Sequence, residues 1–157
     1  MKAERYVIDT NVLISAAFSA KTPPGLVVRH VLAHGHILFS EATFAELETR
    51  VWRPKFDRYL SIESRKQLLH DFRAVALWVN LTPAVADRKF SRDPDDDKFV
   101  HVALAAGAGV LVSGDGDLLA LGAVESVLIL SPVQALARIG FASPPPGAGP
   151  RSLETGK

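Results

Sequence analysis

The chain alternates short, β-prone apolar runs with longer segments of helical periodicity, and this alternation restricts the fold more than any other feature. Short runs that are apolar throughout are typical of strands buried on both faces. Strands that alternate with helices in this way indicate a parallel sheet covered by helices on both sides, an α/β fold. The predicted strands are Tyr6–Ile8, Ile37–Phe39, Trp78–Leu81, Val110–Val112 and Val127–Leu130.

The segments between the strands carry ordinary helix signals. Gly35 suits the end of one helix, Ser40 suits the start of the next, and Pro54 stops that helix. Pro132 suits the first position of the last helix. The predicted helices cover about residues 11–18, 26–34, 41–53, 55–79 and 132–139, with one more that starts in the acidic run 93–97.

Length and composition limit the class of protein. A chain of 157 residues without cysteine predicts one domain and excludes a disulfide scaffold, a thiolate zinc site and a cysteine nucleophile. The net charge of +1 argues against a polycation that coats nucleic acid. No secretory signal and no apolar stretch of about 18 residues is found, so we expect a cytoplasmic protein that does not enter a membrane. We expect a domain over residues 1–142 and a flexible Pro/Gly-rich tail over 143–157.

Acidic residues fall at the ends of the predicted elements. Asp9 ends the first strand and Asp115 follows the fourth, while Glu46 lies in the second turn of a helix and Asp96 lies in an acidic run that starts another helix. Helix N-termini and strand C-termini share one edge of a parallel sheet, the edge where open sheets bind ligands. We therefore expect these four carboxylates to converge. A hard divalent cation such as Mg²⁺ or Mn²⁺ would relieve their mutual repulsion.

Each acid taken alone has an ordinary structural interpretation. Asp9 can cap the next helix, Asp93 and Asp95 favour a helix dipole, and Asp115 and Asp117 suit a turn. Their joint placement at one edge favours a functional site over separate accidents of capping.

Three rival motifs fit poorly. The run that begins at Asp93 has Lys98 where an EF-hand loop needs glycine and Leu104 where it needs glutamate. Asn11 stands where a haloacid-dehalogenase-type nucleophile motif has its second aspartate. A receiver-type signalling domain would have an acid pair near the first strand and a late lysine, and this sequence offers neither clearly.

The acidic motifs together resemble a known family, the PIN domain. The resemblance covers about Tyr6 to Gly140 and rests on Val7–Ala16, Arg92–Gly107 and Val112–Leu119, with Glu46 in its helix. The second and third motifs are similar to those of VapC-related toxins of bacterial toxin–antitoxin pairs. The resemblance implies a Rossmann-like three-layer α/β/α sandwich and a divalent-metal-dependent endoribonuclease.

The resemblance also implies roles for individual residues. Asp9, Asp96 and Asp115 match metal-binding positions, and together with Glu46 they match the catalytic acids. Relatives often carry Asn where this chain has Asp97, so Asp96 is the preferred third acid and its neighbour is the alternative. Supporting roles near the acids fall to Asn11, Asp93, Asp97, Ser113 and Asp117.

Two hypotheses of different kinds remain open. In the first, the metal activates a water that Glu46 orients or deprotonates, and the substrate is RNA. Arg50 and Arg53 follow Glu46 as candidate phosphate contacts, although a solvated helix face explains them better. In the second, the domain has little activity and acts through a partner, an antitoxin or a further copy in a homodimer or higher homo-oligomer, using apolar residues of Lys55–Val79. The presence of all four acids favours the enzyme.

Overall fold

A computed structural model describes residues 4–140, which form one six-stranded sheet with helices on both faces. The strand order is β3-β2-β1-β4-β6-β5, and all neighbours run parallel except β5, which is antiparallel to β6. The strands are β1 Arg5–Ile8, β2 His36–Phe39, β3 Leu77–Trp78, β4 Val110–Val112, β5 Ala123–Val124 and β6 Val127–Leu130.

The helices alternate with the strands along the chain. Short 3₁₀ turns at Pro54–Phe56 and Pro94–Asp96 precede α4 and α6. The α-helices are α1 Thr10–Phe18, α2 Pro23–His34, α3 Glu41–Arg50, α4 Ile62–Val75, α5 Pro83–Ala86, α6 Asp97–Ala106, α7 Gly116–Leu119 and α8 Pro132–Ile139.

The side chains of β1 show why both faces of the sheet are covered. Tyr6 and Ile8 belong to a core cluster packed with α1 to α4 and α8, whereas Val7 belongs to a second cluster packed with α6 and α7. Successive strand residues point to opposite faces, so a run that is apolar throughout needs a helical layer on each side. The three-layer α/β arrangement with a mainly parallel sheet is thereby confirmed.

The structure differs from the predicted elements in several places. The short helices α5 and α7 were not predicted, and α2 begins and α3 ends about one turn earlier than predicted. The segment predicted as one helix over 55–79 is a 3₁₀ turn followed by α4, because the Ser61 hydroxyl accepts the Ser64 amide and starts a new helix there. The third strand is Leu77–Trp78 instead of Trp78–Leu81. The short strand β5 was not predicted, and it pairs with β6 through a tight turn in which Glu125 has φ 54°.

The sheet edge where β1, β4 and β6 end is the part of the fold that matters for function. The Asp9 amide bonds the Val112 carbonyl at 2.9 Å, and the Ser113 amide bonds the Leu130 carbonyl at 2.9 Å, so the three strands end in register. The starts of α1 and α7 lie at this same edge. The predicted boundary near residue 142 and the tail 143–157 lie outside the described residues. Within residues 4–140, no helix is both long and apolar enough to span a membrane.

Candidate metal centre at the sheet edge

Asp9 lies at the end of β1 and caps α1, and its carboxylate is held in a fixed position. Its Oδ1 accepts the Asn11 amide at 2.7 Å, and its Oδ2 accepts the Ser113 hydroxyl at 2.5 Å. Burial raises the pKa of Asp9, the hydrogen bonds from Ser113 and Asn11 oppose that shift, and the nearby charge of Glu46 adds to it.

Ser113 connects two of the predicted acids. Its hydroxyl is fully buried, donates to Asp9 and accepts the Asp115 amide at 2.9 Å. Asp115 in turn caps α7, since its Oδ2 accepts the Leu118 amide at 3.0 Å. A single hydroxyl therefore sets the position of Asp9 relative to Asp115. The predicted supporting role of Ser113 has this contact as its physical basis.

Asp96 is the predicted acid whose negative charge is least offset by hydrogen bonds within residues 4–140. Its Oδ2 is buried and has no hydrogen-bond partner among the described residues. Burial, the contact with the Asp115 carboxyl, and the like charges of Asp93 and Asp9 raise the pKa of Asp96 to about 7. A buried acceptor without a donor is costly, so this oxygen is suited to a ligand that carries positive charge.

Asp96, Asp115 and Asp117 each offer a carboxylate oxygen within 4.8 Å of the others. Hard divalent cations prefer oxygen ligands of this kind, so the donor set fits Mg²⁺ or Mn²⁺. The sequence prediction had Asp9 in the metal-binding set and Asp117 in a supporting role. The structure instead brings Asp117 into the compact group of three, with Asp9 beside it.

Asp9 and Asp115 line one cleft of about 370 Å³ at this edge. We refer to the four neighbouring carboxylates as the acid cluster; they are Asp9, Asp96, Asp115 and Asp117. The remaining residues that line the cleft are Asn11, Val12, Ser15, Pro24, Gly114, Gly116 and Pro132.

Glu46 belongs to a different set of contacts. One of its oxygens, Oε2, accepts the Thr10 hydroxyl at 2.5 Å. The other, Oε1, lies 2.7 Å from Lys98 Nζ and 3.1 Å from Arg50 Nη2. We refer to these residues as the ion-pair cluster: Thr10, Glu46, Arg50 and Lys98.

The sequence prediction missed the roles of Thr10 and Lys98. Arg50 was open to prediction, because its i,i+4 spacing from Glu46 favours an ion pair on one helix face. Lys98 follows Asp96 by two residues, which places it near the edge but does not indicate its partner.

Two other residues with a predicted supporting role, Asp97 and Asp93, accept hydrogen bonds from backbone amides. Asp97 is buried, and its carboxylate accepts the Ser91 amide at 2.8 Å and the Phe90 amide at 3.3 Å. Asp93 is exposed and accepts the Asp95 amide at 3.0 Å. Of the two adjacent candidates for the third acid, it is Asp96 that meets the other acids, while Asp97 anchors the loop before α6.

A family profile and a sequence relative both match most of this chain. The profile of the PIN domain family matches residues 5–117. An uncharacterized protein of Methanocaldococcus jannaschii, MJ1680, is 31% identical over 119 residues, which are 74% of each chain.

Three solved structures have the same fold at low sequence identity. PAE2754 from Pyrobaculum aerophilum aligns with a TM-score of 0.56 at 17% identity, covering 88% of this chain and 97% of that one. VapBC2 from Rickettsia felis, bound to a DNA fragment from its promoter, aligns with a TM-score of 0.54 at 13% identity, covering 81% and 98%. The sarcin-ricin loop cleaving toxin VapC20 of Mycobacterium tuberculosis aligns with a TM-score of 0.51 at 16% identity, covering 76% and 97%.

Proposed function

Because the chain belongs to the PIN-domain family, we propose that it is a divalent-metal-dependent endoribonuclease and the toxin of a toxin–antitoxin pair. The observation that carries the proposal is the buried Oδ2 of Asp96, which has no hydrogen-bond partner within residues 4–140 and belongs to a carboxylate beside Asp115 and Asp117. Several carboxylates held close together without a cation raise one another's pKa, and a divalent ion removes that cost.

Asp96 and Asp115 are the principal ligands in this proposal. Asp117 contributes an oxygen within reach, and Asp9 binds directly or through water from its fixed position against Ser113. When held by these residues, Mg²⁺ or Mn²⁺ would supply an activated water and would neutralise charge that develops on the phosphate. The side chains of the acid cluster would place this water at the cleft that Asp9 and Asp115 line.

Glu46 is proposed to orient the attacking water. An ionised carboxylate has about four lone-pair sites. Three are used in the structure, by Thr10, Arg50 and Lys98, which leaves one for a water molecule. Of the two roles predicted for Glu46, orientation and deprotonation, these contacts support orientation.

The proposed substrate is a single strand or loop of RNA that enters the 370 Å³ cleft. One of the structural relatives is named for cleavage of the sarcin-ricin loop, which supports RNA as the substrate class. The family resemblance implies cleavage products with a 5′-phosphate and a 3′-hydroxyl. The proposed location is the cytoplasm, where such a substrate is found.

A second candidate function is favoured by one apolar groove between α1, α2 and α4. Its volume is about 440 Å³, and it would suit a protein partner such as an antitoxin segment or a further copy of the chain. In this alternative the domain has little nuclease activity and acts through that partner. The groove is lined by Leu13, Ala16, Ala17, Val28, Leu32, Leu68, Asp71, Phe72 and Val75.

The decisive experiment is cleavage of total cellular RNA and tRNA by purified protein with Mn²⁺, with Mg²⁺ and with chelator. We expect metal-dependent cleavage that Asp96→Asn reduces at least about 100-fold, since that variant loses a principal ligand. The matched control is Asp95→Asn, an exposed neighbour in the same 3₁₀ turn, which should cleave like the parent.

Equal cleavage by the parent and Asp96→Asn would contradict the metal-site assignment. If neither protein cleaves, a calorimetric Mn²⁺ titration of both separates the remaining cases. Binding that depends on Asp96 would retain the metal centre and direct the search to a narrower RNA target. Absence of binding would favour the interaction module.

A further inference from the structure

Lys98 and Arg50 are held at the border of the acid cluster by one carboxylate. Lys98 is the second residue of α6, two positions after Asp96, and Arg50 lies in the last turn of α3. Both contact the same oxygen of Glu46, at 2.7 and 3.1 Å. The other oxygen of Glu46 is bonded to Thr10, the residue after Asp9. Helices α1, α3 and α6 thus meet at Glu46, which fixes the positions of the Lys98 and Arg50 side chains.

The charges in this ion-pair cluster do not balance. Two cationic side chains share one carboxylate, which leaves a surplus of one positive charge. Both side chains are largely shielded, with 23% of Lys98 and 28% of Arg50 exposed. Within residues 4–140, Glu46 is the ion-pair partner of each, although an ammonium has three N–H donors and a guanidinium has five. Several of these charged donors therefore have no acceptor among the described residues, although Lys98 Nζ also lies 5.9 Å from the centre of the Phe99 ring.

We propose that Lys98 and Arg50 bind a backbone phosphate of the substrate strand, with Glu46 as the residue that positions them. The proposal rests on the proposed function, because that function supplies an RNA strand at this edge. Phosphate oxygens are strong acceptors for charged donors, and paired cations of this kind suit them. The bound phosphate would hold the strand so that the neighbouring phosphodiester faces the acid cluster.

A simpler explanation is that Lys98 only offsets the negative charge of the acid cluster. The two explanations predict different results when Lys98 is replaced by an uncharged residue. If Lys98 only offsets charge, its loss raises metal affinity because the cluster becomes more negative, and RNA binding in chelator keeps the same dependence on salt. If Lys98 binds phosphate, RNA affinity in chelator falls, and so does the dependence of binding on salt.

The test uses the full chain with Asp96→Asn, so that no cleavage disturbs the binding measurement. Fluorescence anisotropy follows its binding to a labelled single-stranded RNA of about 12 nucleotides in chelator, over a range of KCl concentrations. Adding Lys98→Met should weaken binding about 10-fold and lower the slope of log affinity against log salt by about 0.7. Lys98→Arg, which keeps the charge, should restore most of the affinity. Thermal melts of all variants exclude unfolding as the cause.

The matched control is Arg138→Gln, which also removes one positive charge. Arg138 pairs with Glu4 at 2.8 Å, at the edge of the sheet opposite the acid cluster, so its loss should leave the salt slope unchanged. An equal loss of affinity in Arg138→Gln and Lys98→Met would overturn the proposal, because it would reflect net charge alone. Unchanged affinity and slope in Lys98→Met would also overturn it.

Cleavage kinetics separate this proposal from the proposed function. In the otherwise unaltered chain with Mn²⁺, Lys98→Met should raise KM about 10-fold with a smaller change in kcat. If Asp96-dependent cleavage occurs while Lys98→Met alters neither KM nor binding, the nuclease stands and the phosphate site is wrong. If RNA binding depends on Lys98 while no cleavage occurs and no Mn²⁺ binding depends on Asp96, the phosphate site stands and the nuclease is wrong.

Discussion

The ion-pair cluster and the acid cluster lie near one edge of this sheet, and they differ in whether the chain supplies positive charge to the carboxylate. Glu46, in the ion-pair cluster, is surrounded by two cations and a hydroxyl supplied by the chain itself. Asp96, in the acid cluster, has a buried oxygen without a hydrogen-bond partner among residues 4–140, and its pKa is raised to about 7, first by burial and then by its acidic neighbours. Of the two clusters, the acid cluster is the one without a cationic side chain of its own, and it is where we propose that a divalent cation binds.

The same contrast occurs between adjacent residues. Asp96 meets Asp115 and Asp117, whereas Asp97 turns to the amides of Phe90 and Ser91. Both residues have helical backbone angles, and successive residues of a helix point about 100° apart around its axis, so the two side chains leave the backbone in different directions. Two identical neighbours in sequence thus have different partners because they lie on different sides of one helical turn.

The largest expected effect on stability is at Asp97. Asp97→Ala leaves the Phe90 and Ser91 amides without a charged acceptor, and it should lower the free energy of unfolding by about 2–3 kcal/mol. Urea denaturation measures the change. Asp97→Asn keeps one acceptor oxygen and should lose less. A loss below about 0.5 kcal/mol in Asp97→Ala would mean that the contrast between the adjacent aspartates is wrong.

Glu46→Gln should lower the free energy of unfolding by about 1–2 kcal/mol, because it leaves Arg50 and Lys98 without a counter-charge in a shielded position. Chemical denaturation in chelator measures the difference from the parent. The informative comparison is Asp96→Asn, which removes repulsion and should raise stability above pH 7. If the free energy of unfolding changed in the same direction in Glu46→Gln and Asp96→Asn, the division into two clusters would be contradicted.

The pH dependence of stability follows from Asp96. Its pKa is about 7 in the folded chain against an ordinary value of 3.8, so the folded state holds the proton more tightly. This contribution to stability is complete below about pH 4, and it is lost as the pH rises to about 7. The melting temperature in chelator should therefore fall as the pH rises through this window, and it should fall more for the parent than for Asp96→Asn. Saturating Mn²⁺ should raise the melting temperature of the parent above pH 7 and have less effect on the variant.

The smallest expected effect is at Ser113. Ser113→Ala removes the hydroxyl that joins Asp9 to the Asp115 amide, and it should cost about 1 kcal/mol of stability. Mn²⁺ affinity, measured by calorimetry, should fall about 10-fold because the ligands are less well oriented. Ser113→Thr keeps the hydroxyl and serves as the control. Unchanged affinity in Ser113→Ala would show that Asp9 is positioned by other contacts.

Residue patterns along the chain are enough to predict the fold class and the sheet edge at which Asp9, Asp96 and Asp115 meet. Both follow from local patterns: apolar runs such as Tyr6–Ile8 are buried on two sides, and residues that end strands or begin helices share one edge of a parallel sheet. Asp9, Asp96 and Asp115 could therefore be placed near one another before any coordinates were known.

The partner of each carboxylate, in contrast, depends on how the helices and strands pack in three dimensions. Glu46 and Lys98 are 52 positions apart in the chain, and their contact depends on how α3 packs against α6. The inclusion of Asp117, the turn of Asp97 toward two amides and the extra strand β5 likewise depend on backbone geometry that residue types do not specify. Burial and pairing are properties of the packed chain, and within residues 4–140 they separate Asp96, whose buried oxygen has no hydrogen-bond partner, from Glu46, which contacts two cations.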